Sequence, residues 1–298
     1  MKSGLLKKLN DLMKKIINLL RPTHYVKNIF IFLPLFFSGQ ITLMEKSVSA
    51  IIAFVAFSLS ASAIYIFNDL RDIKNDKMHP VKKLRPLASG LVSKKLAFFL
   101  MIILLCISLS LMITVSTKSL IILIIYILLN LAYSLGLKRI PIIDITIISI
   151  GFVLRLFVGS FAYNVDLNTW ILIMTFLLAL FIALGKRRDD VLILKKTKKK
   201  MRKSIDGYNL KLIDSSMLVL AATTVVTYIQ FSISSESIIK FNENLYLTTI
   251  FIIFGIMRYL QLVFVHNTSG DPVEIILNDN ITKINLLIWL SSFIWIIY

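Results

Sequence analysis

Nine apolar runs dominate this 298-residue chain and restrict the surroundings in which it can fold. They lie at roughly 28–44, 48–67, 96–115, 119–134, 142–163, 169–185, 215–233, 245–265 and 281–298. A hydrocarbon core about 30 Å thick takes ~20 apolar residues per helix. Within it every backbone polar group must be paired inside the segment, which favours helices. Hydrophobic residues make up 57% of the chain, more than soluble domains carry. The spacing therefore predicts an all-α integral membrane protein with nine transmembrane helices and a polar cap at one end. No soluble second domain, low-complexity linker or internal repeat interrupts the pattern. Residues 1–298 are expected to form a single membrane domain, with an interfacial segment 1–27 followed by a bundle over 28–298.

The segment before the first run is amphipathic. Leu5, Leu6, Leu9, Leu12, Met13, Ile16, Ile17 and Leu20 recur at helical spacing, with Lys7, Lys8, Lys14 and Lys15 on the other side. This pattern suits a helix lying on the membrane surface, and no small-residue cleavage site follows it. The formal net charge is +18. Positive charge of that size suits nucleic acid when it forms a patch on a soluble fold. Here it lies between apolar runs, so membrane lipid and orientation explain it and no nucleic-acid partner is expected. Seven basic residues precede the first run, and connections 68–95, 135–141 and 186–214 hold eight, two and eleven. The opposite connections hold only Lys46, Lys118 and Lys240. The positive-inside rule places the N-terminus and the long polar connections in the cytosol. Cys106, the single cysteine, lies in an apolar run and excludes an intramolecular disulfide. The sequon Asn267-Thr268-Ser269 falls on the cytosolic side and carries no weight.

The chemistry concentrates where the second run ends, in Asn68-Asp69-Leu70-Arg71-Asp72-Ile73-Lys74-Asn75-Asp76. At about 100° per residue, Asn68, Asp72 and Asp76 fall within ~80° of one another and Asp69 widens the arc to ~100°. Like charges so placed destabilise a helix, and a bound cation removes the penalty. Hard oxygen ligands suit Mg²⁺, which typically takes one or two carboxylates plus substrate phosphates. A solvated acidic helix end, with Arg71 and Lys74 as local partners, is the plain alternative. It explains less well why acids stand in a connection rich in Lys and Arg, where acids for a metal and bases for phosphates would belong together. The loop that follows, His79 to Gly90, is punctuated by Pro80 and Pro86. Lys82, Lys83 and Arg85 are candidates for a diphosphate, or else cytosolic anchors. His79 is either a donor to substrate or an ordinary loop histidine.

Asn-Asp-x-x-Asp-x-x-x-Asp at this position, followed by Arg85-Pro86-Leu87-Ala88-Ser89-Gly90, resembles the UbiA superfamily of intramembrane prenyltransferases. Further stretches are similar to its decaprenyl-phosphate phosphoribosyltransferase branch. These are Arg21-Pro22-Thr23-His24-Tyr25-Val26-Lys27-Asn28, Tyr133-Ser134-Leu135-Gly136-Leu137-Lys138-Arg139 with Asp144 beyond it, and Gly185-Lys186-Arg187-Arg188. Gly270-Asp271-Pro272 and Ile276-Leu277-Asn278-Asp279 resemble that branch's tail. One departure separates the branches. Aromatic prenyltransferases of the superfamily carry a second motif of helically spaced acids after the sixth run, where this chain reads Lys-Arg-Arg-Asp-Asp. Asp189 and Asp190 are adjacent and diverge by about 100°. A basic second cap suits an acceptor that is itself a phosphate.

The resemblance implies a UbiA-like bundle and Mg²⁺-dependent transfer of 5-phosphoribose from phosphoribosyl diphosphate to a polyprenyl phosphate, deca- or undecaprenyl, at the cytosolic face of a bacterial inner membrane. It implies that Asn68, Asp69, Asp72 and Asp76 hold the metal and that Asp69, Asp72 and Asp76 serve the chemistry. Lys82, Lys83 and Arg85 are then candidates for the donor's phosphates. Lys138, Arg139, Lys186, Arg187 and Arg188 are candidates for the donor 5-phosphate or the acceptor phosphate. Lys27, Tyr133 and Asp144 join them as substrate-binding candidates. Arg155 lies inside the fifth run, where charge is expensive and usually functional; the structural alternative is a buried pair with a carboxylate such as Asp144. Arg258 is a similar case in the eighth run. The basic run Lys195–Lys203 suits a lipid-facing patch. Two other functions compete. An aromatic prenyltransferase predicts spaced acids after the sixth run, and a lipid carrier or transporter predicts mid-depth charge and related halves.

Overall fold

The computed structural model describes residue 13 and residues 15–78, 82–198, 203–267 and 278–297. Most of the amphipathic segment, His79, the middle of the Lys195–Lys203 run and the stretch 268–277 lie outside the described residues. Helix dominates the rest, and no strand occurs among the described residues. A 3-10 helix Pro22–Phe32 leads into α1 (Leu33–Phe37). There follow α2 (Met44–Met78), α3 (Lys94–Val115), α4 (Thr117–Leu135), α5 (Ile143–Tyr163), α6 (Thr169–Thr197), α7 (Leu210–Ile233), α8 (Ser235–Lys240), α9 (Thr249–Phe264) and α10 (Asn280–Ile297). Among the described residues, seven helical stretches are long and apolar enough to cross a membrane: α2 to α7 and Glu243–Phe264, which contains α9. α10 is a shorter apolar helix.

Helix ends follow local chemistry. Ser93, Asn168 and Asn209 cap α3, α6 and α7 by accepting from the backbone N–H of Leu96, Trp170 and Leu212. Two helices outrun their apolar stretches. α2 continues about three turns past residue 67, so the whole acidic cluster stands on regular helix. α6 continues past residue 185 to Thr197, which keeps Lys186 to Asp190 helical.

The first expected span, 28–44, is not a single α-helix. Pro34 has no N–H and would break an α-helix running through it. The chain instead winds as a 3-10 helix up to Phe32 and restarts at α1. At about 2.0 Å of rise per 3-10 residue and 1.5 Å per α residue, Pro22–Phe37 extends roughly 30 Å. That matches a hydrocarbon core in fewer residues than an α-helix needs. The carbonyl of Ile31 would meet Pro34 in the 3-10 pattern. It accepts instead from the Tyr163 hydroxyl at 2.7 Å. Gly159 permits this approach: a Cβ there would stand 2.0 Å from the Ile31 oxygen.

The chain divides into two compact units, Met1–Ser134 with Leu154–Asp166, and Leu135–Val153 with Leu167–Tyr298. In the first, α2 presents small buried residues (Ala50, Ala53, Ala56, Ser60, Ala63). Small side chains let backbones approach closely, and hydroxyls bridge helices in place of hydrophobic force. Ser108 donates to the Ala56 carbonyl at 2.6 Å and Ser119 to the Val158 carbonyl at 3.0 Å. In the second unit Phe181, Leu184, Ile213, Met217 and Val263 centre an apolar cluster. Arg258 is pinned there by Asp279, which also caps the start of α10 by accepting from the Thr282 N–H at 2.8 Å. The hydrogen bonds from Arg258 hold the Asp279 carboxyl well below the usual carboxylate range. This intramembrane charge ties α9 to α10.

Tyr163→Phe should leave the Ile31 carbonyl buried without its hydroxyl donor and cost about 1–3 kcal/mol. Gly159→Ala should be worse, because the obstructing atom is backbone. Thermal unfolding of the detergent-purified protein ranks the two, and an unchanged midpoint for both would remove this contact from the account of the first span.

Candidate functional site

The acidic face of the first unit is assembled by docking the N-terminal segment onto α2. Ser62 donates to the Leu20 carbonyl at 2.7 Å, Tyr25 and Ser62 share a hydrogen bond of 2.8 Å, and Asn28 donates to Ser58 at 2.9 Å. These bonds bring Arg21, whose backbone is left-handed (φ 54°), to the end of the apolar part of α2. One Arg21 nitrogen reaches both Asp69 oxygens, at 2.5 and 2.6 Å. Its guanidinium also lies over the Tyr65 ring, 5.1 Å from the centroid. From the other side comes Arg85. The Ser89 N–H donates to the Arg85 carbonyl and the Val92 N–H to the Pro86 carbonyl, and Leu87 and Ala88 are buried. This turn holds Arg85 so that a single nitrogen meets Asp69 at 3.1 Å and Asp76 at 2.8 Å.

The face therefore differs in register from the arc expected. Asp69 and Asp76 are seven residues apart, only about 20° out of line on a helix, and both are buried. Asn68 and Asp72 are half-buried to one side. Among the described residues no group of three or more His, Cys, Asp or Glu side chains gathers closely enough to hold a metal. Of the four residues expected to hold the metal, Asp69 and Asp76 are the pair joined by Arg85. The pair still fits Mg²⁺, which takes one or two carboxylates and completes its shell with phosphate and water. Lys27 and Lys82 are half-buried and Lys83 is exposed.

Arg155 is buried in the same unit. Its Nε donates to Asn28 at 2.8 Å, one Nη to the Tyr126 hydroxyl at 3.3 Å, and its guanidinium lies over the Phe57 and Tyr126 rings. The carboxylate suggested as its structural partner, Asp144, pairs with Arg187 instead.

In the second unit Asp144 is fully buried and both its oxygens are taken. Oδ2 accepts from Arg187 at 2.8 Å and Ser204 at 3.0 Å, and Oδ1 accepts from Tyr208 at 2.7 Å. Tyr208 in turn accepts from the Ile142 N–H at 2.7 Å. Ile142 is β-branched and left-handed (φ 68°), a conformation that costs roughly 1–3 kcal/mol and needs such support. Burial, then the bond to Asp144, pushes the Tyr208 phenol above its ordinary range, so it stays a donor. Arg187 also holds Asp190 at 2.9 Å. Arg188 holds Asp214 at 2.9 Å and donates to the Val263 carbonyl at 2.7 Å. Asp144, Arg187 and Arg188, expected to meet substrate, are thus buried and paired with other side chains of the second cap. Lys138, Lys186 and Tyr133 are half-buried and Arg139 is exposed.

Sequence reasoning passed over Arg21, Ser204, Tyr208 and Asp214 as site residues. Arg21 had a visible signal, a cation just before Pro22 at the end of an amphipathic segment. The other three depend on how the loop 203–209 and the start of α7 fold back. Asp144→Asn should loosen that loop: limited trypsin cleavage after Lys203 should speed up by about an order of magnitude, in line with a brace worth 1–3 kcal/mol. Unchanged cleavage would mean that Asp144 does not brace it.

With this geometry in view, comparison with known proteins is informative. The sequence model of the UbiA prenyltransferase family matches residues 30–273. The decaprenyl-phosphate phosphoribosyltransferase of Corynebacterium glutamicum is 31% identical over 288 residues, covering 95% of this chain and 86% of that protein. That of Mycolicibacterium smegmatis is 30% identical over 296 residues, covering 95% and 92%. Among solved structures, a UbiA homolog from Archaeoglobus fulgidus bound to DMAPP and Mg²⁺ superimposes with a TM-score of 0.71 at 19% identity, covering 95% of this chain and 99% of that one. The last likeness concerns the fold alone. Long apolar helices and these relatives make the protein an integral membrane protein. A match over most of its length means that the chain belongs to the UbiA prenyltransferase family.

Proposed function

We propose that this protein transfers 5-phosphoribose from phosphoribosyl diphosphate to a polyprenyl phosphate and releases diphosphate. The observation that carries the reading is similarity near 30%, along 95% of the chain, to proteins named for that reaction. The caps support it. After the sixth span Asp190 is held by Arg187 and Asp214 by Arg188, and Asp144 also pairs with Arg187. Acids occupied in this way speak against a second metal-binding acidic motif of the kind an aromatic prenyltransferase would present there.

In the reaction the bond from the anomeric carbon to diphosphate breaks and a phosphate oxygen of the acceptor bonds to that carbon. The acceptor oxygen is already largely ionised at neutral pH, so no general base is needed. Asp69 and Asp76, with Asn68 and Asp72 beside them, would hold Mg²⁺, which supplies charge neutralisation for the departing diphosphate. Arg85, Lys82 and Lys83 bind the donor's phosphates. Lys27 and Arg155 add positive charge in the same unit, with Arg155 oriented by Asn28 and Tyr126. Lys138, Arg139 and Lys186 supply charge for the remaining phosphate groups and Tyr133 contributes to substrate binding, while Arg187 and Arg188 position the helix that carries Lys186. Catalysis rests on placement and electrostatics. The excess of basic residues in these connections supports a cytosolic position for this cap, in a bacterial inner membrane on this reading.

Purified protein with radiolabelled phosphoribosyl diphosphate, decaprenyl or undecaprenyl phosphate and Mg²⁺ should move label into the lipid phase, and EDTA should stop it. Asp69→Asn should lower the rate by about 100-fold or more while the protein remains in the membrane. Label absent from lipid, with an aromatic acceptor prenylated instead, would sink the assignment.

A further inference from the structure

Arg21 and Arg85 stand where a metal and its phosphates would come. The two carboxylates lie behind the two guanidiniums: Asp69 and Asp76 side chains are 3% and 6% exposed, Arg21 and Arg85 20% and 30%. One Arg85 nitrogen lies 3.1 Å from Asp69 and 2.8 Å from Asp76, so it occupies the bridging position between them. A Mg²⁺ held by these carboxylates would compete with Arg85 for the same oxygens. The cluster of two carboxylates and two guanidiniums carries no net charge, and it turns its positive side outward. A bare divalent cation arriving from solvent meets like charge first and finds Asp69 and Asp76 already compensated. A metal–diphosphate complex is different. It is anionic, so each guanidinium can exchange a carboxylate for a phosphate oxygen while the metal takes the carboxylates. No buried charge is left alone at any stage, which is the condition that makes such an exchange cheap.

We infer that Arg21 and Arg85 are surrogate cations of the acidic face, which make metal binding depend on diphosphate. The metal then enters with the donor and not ahead of it. Arg21 is a positioning residue in this scheme, delivered by the N-terminal segment, and its left-handed backbone fixes where it reaches. The inference rests on the metal–diphosphate reading of this site, and the test separates the two.

Mn²⁺ binding to the full-length protein in nanodiscs is followed by electron paramagnetic resonance, with and without inorganic diphosphate. The wild type should bind Mn²⁺ alone weakly and give a protein-bound signal once diphosphate is added. Arg21→Gln and Arg85→Gln should each bind Mn²⁺ alone about ten-fold more tightly, a typical coupling between sites. Arg21→Lys, which keeps the charge, should behave like the wild type and guards against a folding defect in the glutamine variant. Equal Mn²⁺ affinity in the wild type and both glutamine variants, with a diphosphate-dependent signal intact, would overturn the arginine role and leave the site assignment standing. Absence of a bound signal in every protein, even with diphosphate, would overturn both.

Discussion

Hydrocarbon offers no partner to a backbone N–H or C=O, and the whole chain is shaped around that deprivation. It makes long helices the default, and it makes each break in a helix a problem that a neighbour must solve. The first span shows the solution in detail. Pro34 takes a donor away, the chain rewinds as a 3-10 helix, and Tyr163 supplies the missing hydrogen bond to Ile31 from α5. Gly159 is small because that carbonyl comes so near. One proline thus bears on two residues, Gly159 and Tyr163, in a helix over a hundred residues away.

The same scarcity of partners governs charge. Arg155 keeps hydrogen bonds and two aromatic faces, Arg258 keeps Asp279, and Arg187 and Arg188 keep acids of their own unit. These pairings divide the basic residues into two groups. Those that face inward brace helices and loops. Lys83 and Arg139 are exposed, and Lys82, Lys138 and Lys186 are half-buried. The acidic face lies between these behaviours, since its arginines are both partners of buried acids and the outermost charges of the cluster.

Much of this was legible beforehand. Apolar length located α3, α4 and α5 to within two or three residues, and the spacing of acids on α2 pointed to a metal and a diphosphate. The second cap was legible only in composition. A run reading Lys-Arg-Arg-Asp-Asp says that the place is basic; it does not say that Arg187 turns to Asp144, forty-three residues back, or Arg188 to Asp214 in the next helix. Side-chain direction at a helix end depends on what packs there, and local spacing carries no record of it.

The sequence by itself determined that the chain is helical, spans a membrane and concentrates its charge in a few connections, because length, hydropathy and charge act locally and additively. Only the tertiary structure decided which acids on that face are paired with arginine. Asp69 and Asp76 are buried and held because two arginines from distant segments, one before the first span and one in the following loop, converge on that line of the helix. Such convergence is a property of docked elements, and local spacing carries no record of it.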